Sequence, residues 1–532
     1  MIGTPRTLKG RARLDAAVLG AIALLAFLCL SKLDAFEWLT RYVADHESWQ
    51  LDELLISLGV VGLGGFVFSL RRYADAVREL RKRRAAQADV TWLSHYDPLT
   101  ELPNRRKLNE FVRHFDSADA DERKTGCYAI YSIDLDGFKQ INDLHGHAAG
   151  DRLLQTVAAR LISLFPDDLV VRLGGDEFLV VAKTEEETDV AARAEELLGE
   201  LRAPIAIDRV HAEIGASIGI VRYPVQAATM QDAIRFGDIA MYAAKKSPGV
   251  NIAGYQAELL VEAEARALLT AQLKSAVAND DITPHYQPLV DLVTGRIYGF
   301  EVLARWTRPG GEAVPPAVFI PLAEEAGLIS DLSQKLLGKA CREAMAWPDT
   351  ILLSFNLSPT QLSDRLIGLR IVSVLDETGF LPSRLEIEIT ESAMIRDSET
   401  ALDVLNRLQA LGIRVALDDF GTGYSSLSQM SKFSFNRLKI DQSFIRDFQH
   451  DEKQNKIVKA IIALGAGLSV ATTAEGIEEP GQLVALRELG CDSGQGYLLG
   501  RPMSFEDATD ALVRAGDPGS KAVTPAPRQK RA

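Results

Sequence analysis

Between Thr283 and Leu499 one unit repeats along the chain: a short apolar segment of strand length ends on a polar residue with metal-ligating atoms, and helical sequence follows. The segment ends fall at Glu301 (in FEVLARW), Asn356 (SFNLS), Glu388 and Glu391 (LEIEITES), Asp418 and Asp419 (VALDDFGTG), Lys439 and Asp441 (LKIDQSF), and Glu475 and Glu478 (TTAEGIE). Strand alternating with helix predicts a TIM-like barrel, whose C-terminal strand ends gather at one mouth. A single acid there is no more than a polar rim. Five or more on one mouth repel each other and lose hydration unless cations neutralise them. The pattern predicts a two-metal hydrolase, in which paired ions lower the pKa of a shared water, orient a phosphodiester and stabilise the leaving alkoxide.

Upstream, Cys127 to Ile133 (CYAIYSI) reads as an apolar strand that ends in Asp134-Leu135-Asp136-Gly137-Phe138-Lys139 before helical spacing resumes. Leu169 to Arg172 and Phe178 to Val181 read as a hairpin turned by Gly174-Gly175-Asp176-Glu177, where glycine permits a tight turn and close approach of a ligand. With that hairpin beside the first strand, Asp134 and Asp176 meet at one sheet edge. There they can hold Mg²⁺ ions that bridge a nucleotide's phosphates and activate a hydroxyl for in-line attack. Taken singly, either acid reads as a solvated turn residue; the combination carries the chemistry.

A chain of 532 residues has room for two or three domains, each with its own core. Its net charge of -14 excludes a general binder of nucleic-acid polymers, which needs a clustered basic face, and suits divalent metals instead. Cys29, Cys127, Cys341 and Cys491 form no CxxC pair and read as buried, reduced residues of a cytoplasmic protein. Two apolar runs, Ala16 to Leu30 after Arg6, Lys9, Arg11 and Arg13, and Leu54 to Leu70, predict a helical hairpin in a bacterial inner membrane. Both runs are slightly short, so soluble helices are the alternative. The basic cluster from Arg71 to Arg84 puts both ends in the cytoplasm. From Arg71 to Ser94 a helix with a weak heptad is expected, and from Gln256 to Asn279 a second helical connector. The Pro-bearing tail after Gly516 is expected to be disordered.

Over Trp92 to Gly254 the stretches DPLTELPNRR (Asp97 to Arg106), DLDGFKQIND (Asp134 to Asp143), HGHAAGD (His145 to Asp151), RLGGDEF (Arg172 to Phe178) and DIAMYAAKK (Asp238 to Lys246) resemble the GGDEF diguanylate cyclase family. The resemblance implies that Asp134 and Asp176 bind metal with help from the main chain of Leu135, that Asn142 and Asp151 read the guanine edge, and that Glu177 supports phosphate and metal positioning. Lys245 or Lys246 would neutralise terminal phosphates. Three departures stand out: Val250 replaces the arginine of the family's AKxxGRN, the spacing after Lys245 is one residue longer, and the product-inhibition RxxD is here Phe165-Pro166-Asp167-Asp168.

Over Leu273 to Ala515 the chain resembles the EAL phosphodiesterase family, with Glu301-Val302-Leu303 as its signature tripeptide. That resemblance implies metal ligation by Glu301, Asn356, Glu388, Asp418, Asp419 and Glu475, and a Lys439 that steadies the attacking water or the phosphate. Gln287 and Arg305 would contact the ligand, Gln495 would support the water and metal shell, and Glu478 would stand behind the ligands. Glu391, with Asp418 to Ser428 (DDFGTGYSSLS), matches the loop that links metal binding to dimerisation.

The expected fold is α/β multidomain: a membrane hairpin and linker helix over 1–90, a palm-like GGDEF domain over 91–254, a helical connector over 255–272, a TIM-like EAL barrel over 273–515 and a tail over 516–532. The expected chemistry is synthesis of cyclic di-GMP from two GTP and its hydrolysis to pGpG, with Mg²⁺ or Mn²⁺, in a homodimer. Two other readings stand beside it: a barrel phosphodiesterase regulated by a GTP-binding first domain, and a non-catalytic cyclic di-GMP receptor or scaffold.

Overall fold

The computed structural model describes residues 35–45, 51–117, 126–184, 187–207, 210–247, 249–391, 393, 398–421 and 433–516, with a few between 21 and 32. The chain divides into two compact units, residues 1–259 and 260–532. The expected membrane hairpin is not supported. Its first run lies largely outside the described residues. The second is no separate segment: one helix, Leu51–His95, carries it and continues through the basic cluster, and glycines at 59, 62, 64 and 65 dilute its apolar face. Among the described residues no helix is long and apolar enough to cross a membrane. The expected tail falls outside the described residues.

The first unit is built on five strands, β1 (Cys127–Asp136), β2 (Leu169–Gly174), β3 (Glu177–Thr184), β6 (Gly215–Tyr223) and β7 (Ile252–Gly254), in the order β2-β3-β1-β6-β7. Two short strands, β4 (Ile205–Ile207) and β5 (Val210–Ala212), pair separately. β1 is central and antiparallel to both neighbours. Its apolar run has no alternation because both faces are covered. Ala129, Tyr131 and Ile133 pack with Leu153, Val157 and Leu161 of the helix His147–Leu164. Against the sheet also lies the helix Met230–Lys246, approaching so closely that a Cβ at Gly219 would stand 2.1 Å from the carbonyl oxygen of Gly237 and 2.2 Å from the nitrogen of Met241.

In the second unit, among the described residues, eight strands close a barrel: β8 (Ile282–Asp291), β9 (Ile297–Thr307), β11 (Leu352–Leu357), β12 (Leu385–Thr390), β13 (Arg414–Phe420), β14 (Arg437–Ile440), β15 (Ala471–Ala474) and β16 (Ser493–Gly494). β10 (Ala313–Val314) hangs on β9 outside the ring. From β9 round to β16 all neighbours are parallel, whereas β8 is antiparallel to both β9 and β16. The alternation of each strand is resolved by the two sides of the wall. Leu353, Phe355, Ile387 and Ile389 join Leu336, Ile371 and Leu405 of the surrounding helices in one core, while Ser354, Asn356, Glu386 and Glu388 share the other face. The connector helix, Ala257–Asn279, buries Leu273, Ala276 and Val277 here. Its last carbonyls, of Val277 and Ala278, accept hydrogen bonds from Lys335 at 2.6 and 2.9 Å, as a cation near a helix C-terminus does.

Of the cysteines, Cys341 and Cys491 are buried thiols as expected, but Cys29 and Cys127 are exposed, the latter as the first residue of β1; all four are free.

Gly219→Ala is expected to lower the stability of the first unit by about 1–3 kcal/mol, since neither backbone atom facing the new methyl can yield. Amide hydrogen exchange along β1 and β6 reads this directly. Unchanged protection would mean that the helix sits less tightly on the sheet than described.

Candidate functional site

In the first unit the hairpin turn has Gly174 at φ 145° and Gly175 at φ 55°, backbone that side chains avoid. Arg172 fixes it: Nε and Nη2 donate to the Gly175 carbonyl at 3.2 and 2.8 Å, and Nη1 to Asp97 at 2.8 Å. Asp97 also accepts from the amide and hydroxyl of Thr100 at 2.9 and 2.7 Å. Burial opposes its charge, yet the bonds from Thr100 and Arg172 outweigh this and hold its carboxyl below the usual range. The sequence reading assigned no role to this lock, although Asp97, Thr100 and Arg172 all stand inside the recognised stretches.

The turn lies against the end of β1, with Asp134 opposite Glu177 and the Leu135 amide donating to the Asp176 carbonyl at 3.3 Å. Lys245 reaches Asp134 at 2.5 Å, whereas the Lys246 ammonium sits 5.0 Å above the Tyr242 ring. Of the two lysines, it is Lys245 that bonds Asp134. Burial, with Asp134 nearby, raises the Asp176 carboxyl; burial, with Asp238 nearby, raises that of Glu177. Asp238, itself raised by burial, is held by the Ser132 hydroxyl at 2.9 Å and is a fourth acid the sequence reading left unassigned. Asn142 and Asp151 stand on successive helices joined through Gly146. Gly150 leaves room for Asn142, whose Oδ1 would be 2.0 Å from any Cβ there.

The barrel holds the denser constellation. Lys439, 1% exposed at the middle of β14, directs its ammonium to Glu388 at 2.6 Å, Glu475 at 2.6 Å, Asp418 at 3.4 Å and Glu301 at 3.9 Å. Glu388 lies two strands away and takes a further bond from the Ser354 hydroxyl at 2.5 Å, a partner the sequence reading missed because a serine in an apolar strand carries no signal. Glu301 accepts from Asn356 at 2.7 Å and from Gln495, which also donates to Gln287 at 2.9 Å. Arg305 is half-buried, within electrostatic reach of Glu301, and donates to the Ala304 carbonyl. Glu391 is buried and accepts from the Gly421 amide at 3.3 Å; the rest of its loop, 422–432, lies outside the described residues. Glu478 is exposed before the helix Pro480–Glu488 and is not among the residues gathered on Lys439.

Consecutive residues of a regular strand face opposite ways, so Asp418 and Asp419 should diverge. The register of β13 on β14 shifts between Leu417 and Phe420, and Asp419 takes a left-handed φ of 55°. This bulge brings Asp418, Asp419 and Glu475 together, with one carboxylate oxygen from each within 4.8 Å of the others.

The cluster lacks positive charge. Burial and the neighbouring Glu301, Asp418 and Glu475 push Glu388 well up despite Lys439. Burial, with Asp418 and Glu301, lifts Glu475 to about 8, and burial, with Asp418 and Asp441, lifts Asp419 to about 6. Burial alone would depress Lys439, but the carboxylates hold it well above the usual ammonium range. The Oε1 of Gln495 is buried beside them without a hydrogen-bond partner. Hard oxygen donors, surplus negative charge and an unused acceptor fit divalent cations.

Two family models match the chain: EAL domain, over residues 270–502, and Diguanylate cyclase, GGDEF domain, over residues 94–250. The chain is 40% identical to an uncharacterized signaling protein of Caulobacter vibrioides over 86% of its own length and 56% of that protein's, so it spans little more than half of that relative. It is 36% identical to the bifunctional diguanylate cyclase/cyclic di-GMP phosphodiesterase MucR of Pseudomonas aeruginosa, over 85% of this chain and 67% of that one. A solved structure of the PaMucR phosphodiesterase in its c-di-GMP complex matches at 38% identity and a TM-score of 0.44, covering 45% of this chain and 99% of that one.

Removing the one buried ammonium leaves the carboxylates uncompensated, so Lys439→Met is expected to cost about 3–5 kcal/mol in chelator. Saturating Mn²⁺ should recover much of that loss, because the ions bind the folded chain and replace the missing charge. Thermal melts with and without Mn²⁺ read the difference; an equal deficit in both would show that the acids do not take up the cation.

Proposed function

As the chain belongs to the family that carries a GGDEF domain followed by an EAL domain, we propose that it turns over cyclic di-GMP, hydrolysing it in the barrel and making it from two GTP in the first unit. The observation that carries the hydrolytic half is Lys439 buried among four carboxylates beside the Asp418-Asp419-Glu475 group. Glu301, Asn356, Glu388, Asp418, Asp419 and Glu475 are the residues to hold Mg²⁺ or Mn²⁺. Bound there, such ions supply Lewis-acid activation of water and neutralise charge on the phosphodiester. Lys439, pinned between Glu388 and Glu475, presents a fixed positive charge to the attacking water or the phosphate. Water adds to phosphorus, the bond to one ribose 3′-oxygen breaks, and pGpG is released. Gln495 and Asn356 keep Glu301 in one orientation, while Gln287 and Arg305 contact the ligand in this reading.

For synthesis, Asp134, Asp176 and the Leu135 main chain serve as the metal-binding edge, Lys245 neutralises phosphate, Glu177 supports both, and Asn142 with Asp151 reads guanine. The product joins two GTP symmetrically and one such site holds one of them, so two chains face each other as a homodimer. Attachment to the bacterial inner membrane belongs to this reading. It is supported by Leu58, Val60, Val61, Phe66 and Phe68, exposed on the helix Leu51–His95 ahead of its basic cluster. The second reading, a GTP-binding regulator in place of a cyclase, is favoured by Val250, which offers phosphate nothing, and by Lys246 turned onto Tyr242.

A paired assay of GTP and cyclic di-GMP turnover tests both halves, with Asp176→Ala as the control for synthesis. Glu301→Ala should lower hydrolysis by orders of magnitude, since the lost carboxylate mis-sets both the ions and the Gln495–Asn356 pair that aligns on it. Parental hydrolysis in that variant would rule out the barrel assignment. GTP binding without product would favour the regulator.

Synthesis should also escape feedback by its product. Phe165, where the family's inhibitory site has arginine, is 1% exposed, packs on Tyr131, and lies under the Arg193 guanidinium at 4.8 Å, while Asp168 is held by Arg193 at 3.7 Å. In the Glu301→Ala background, added cyclic di-GMP should leave the GTP turnover rate unchanged. Submicromolar inhibition would contradict this.

A further inference from the structure

Inside the barrel, five residues of the site each have a polar residue two positions earlier in the chain, one pleat below. The pairs are Ser354 under Asn356, Glu386 under Glu388, Arg437 under Lys439, Thr473 under Glu475 and Ser493 under Gln495. A barrel floor is ordinarily filled by branched apolar side chains. Here it holds a second buried ion pair, stacked below the first: Glu386 is 1% and Arg437 8% exposed. Arg437 reaches from β14 across β13 to β12, donating through Nε to both oxygens of Glu386 at 3.1 and 3.3 Å. It can do so because the β13 residue in register with Arg437, Ala416, is too small to block it. Its Nη1 donates to Thr473 at 3.1 Å and Ser493 at 2.8 Å, and its guanidinium lies 4.8 Å over the Tyr298 ring.

We propose that Arg437 is a positioning residue for the metal-binding layer: by tying β12, β14, β15 and β16 together one pleat below, it sets the spacing at which Glu388, Lys439, Glu475 and Gln495 converge. This rests on the reading of the upper carboxylates as metal ligands. The physical argument is that a buried ion pair is a poor device for stability, since apolar residues of similar volume serve as well or better. What it supplies and they do not is directional bonding. Three hydrogen-bond partners on three other strands fix the guanidinium, and each strand then places its next inward side chain with little freedom. Outer partners of this kind typically set metal affinity by about 10–100-fold. Arg437 touches no substrate and performs no chemistry.

The test uses the nucleotide-free full chain and Mn²⁺, counting free ion by electron paramagnetic resonance, with melting temperature in chelator measured beside it. The double variant Glu386→Leu/Arg437→Met should fold with a melting temperature close to parental but bind Mn²⁺ about 10–100-fold more weakly. On cyclic di-GMP it should lose kcat more than KM rises. Arg437→Lys, which keeps charge but loses the fork, should shift the same way and decides the matter should the double variant not fold. Leu336→Ala, in the core outside the wall, should lower stability without weakening Mn²⁺ binding. Parental Mn²⁺ affinity in a folded Arg437 variant, or equal weakening in Leu336→Ala, would overturn the positioning role. Failure of the parental chain itself to bind Mn²⁺ would instead overturn the reading of the site.

Discussion

One ammonium buried among four carboxylates is the interaction on which the barrel's architecture turns. Lys439 cannot be taken out of water without its acids, and they cannot be gathered there without it. The two sides do not balance, since Glu388 and Glu475 remain well above their ordinary range with Lys439 in contact. A closed barrel wall can hold such a mismatch because every strand has a hydrogen-bonded neighbour on each side and its outer face is bolted to helices by an apolar core. The strain of like charges is met by a stiff frame, and what remains is appetite for cations.

The two sites use the same device at different depths. Lys245 bonds Asp134 on a sheet edge with its side chain 45% exposed, where Lys439 is at 1%. Water reaches the first pair from the lysine's side and screens it. The hairpin bearing Asp176 needs a separate lock, Arg172 to Asp97, because an exposed turn has no wall behind it. Closed barrel and open edge therefore arrive at preorganisation by opposite routes, one by enclosure and one by local hydrogen bonds.

Much of this was legible from the chain. Strand-length apolar runs ending on acids predicted the barrel and the gathering of Glu301, Glu388, Asp418 and Glu475, since alternation fixes which side chains face inward. The hairpin at Gly174-Gly175 was equally readable, glycine being what its backbone requires. Three things were not. The convergence of Asp418 and Asp419 depends on a bulge and a left-handed aspartate, and neighbouring residues of a strand give no hint of that. The choice between Lys245 and Lys246 depends on helix phase at the last turn, where a one-residue difference rotates the side chain by about 100°. The lower layer carries no such signal, because Glu386 and Arg437 stand inside strand runs whose pattern is read from their ends. At the N-terminus, hydropathy over short windows suggested separate membrane segments, whereas one helix runs through the second of them.

The antiparallel β8 decides where the chain enters the barrel. A parallel first strand would have begun at the closed floor, leaving the connector helix attached to the face that only keeps the fold together. Because β8 runs the other way, Ile282 pairs with Trp306 beyond the level of Glu301, and Gln287 then descends opposite Glu301 itself. The connector therefore plugs in at the rim, held there by Lys335 on its final carbonyls. Any pull or twist arriving along that helix is delivered at the lip, through the strand that pairs Gln287 with Glu301, as well as to the core that Leu273, Ala276 and Val277 enter.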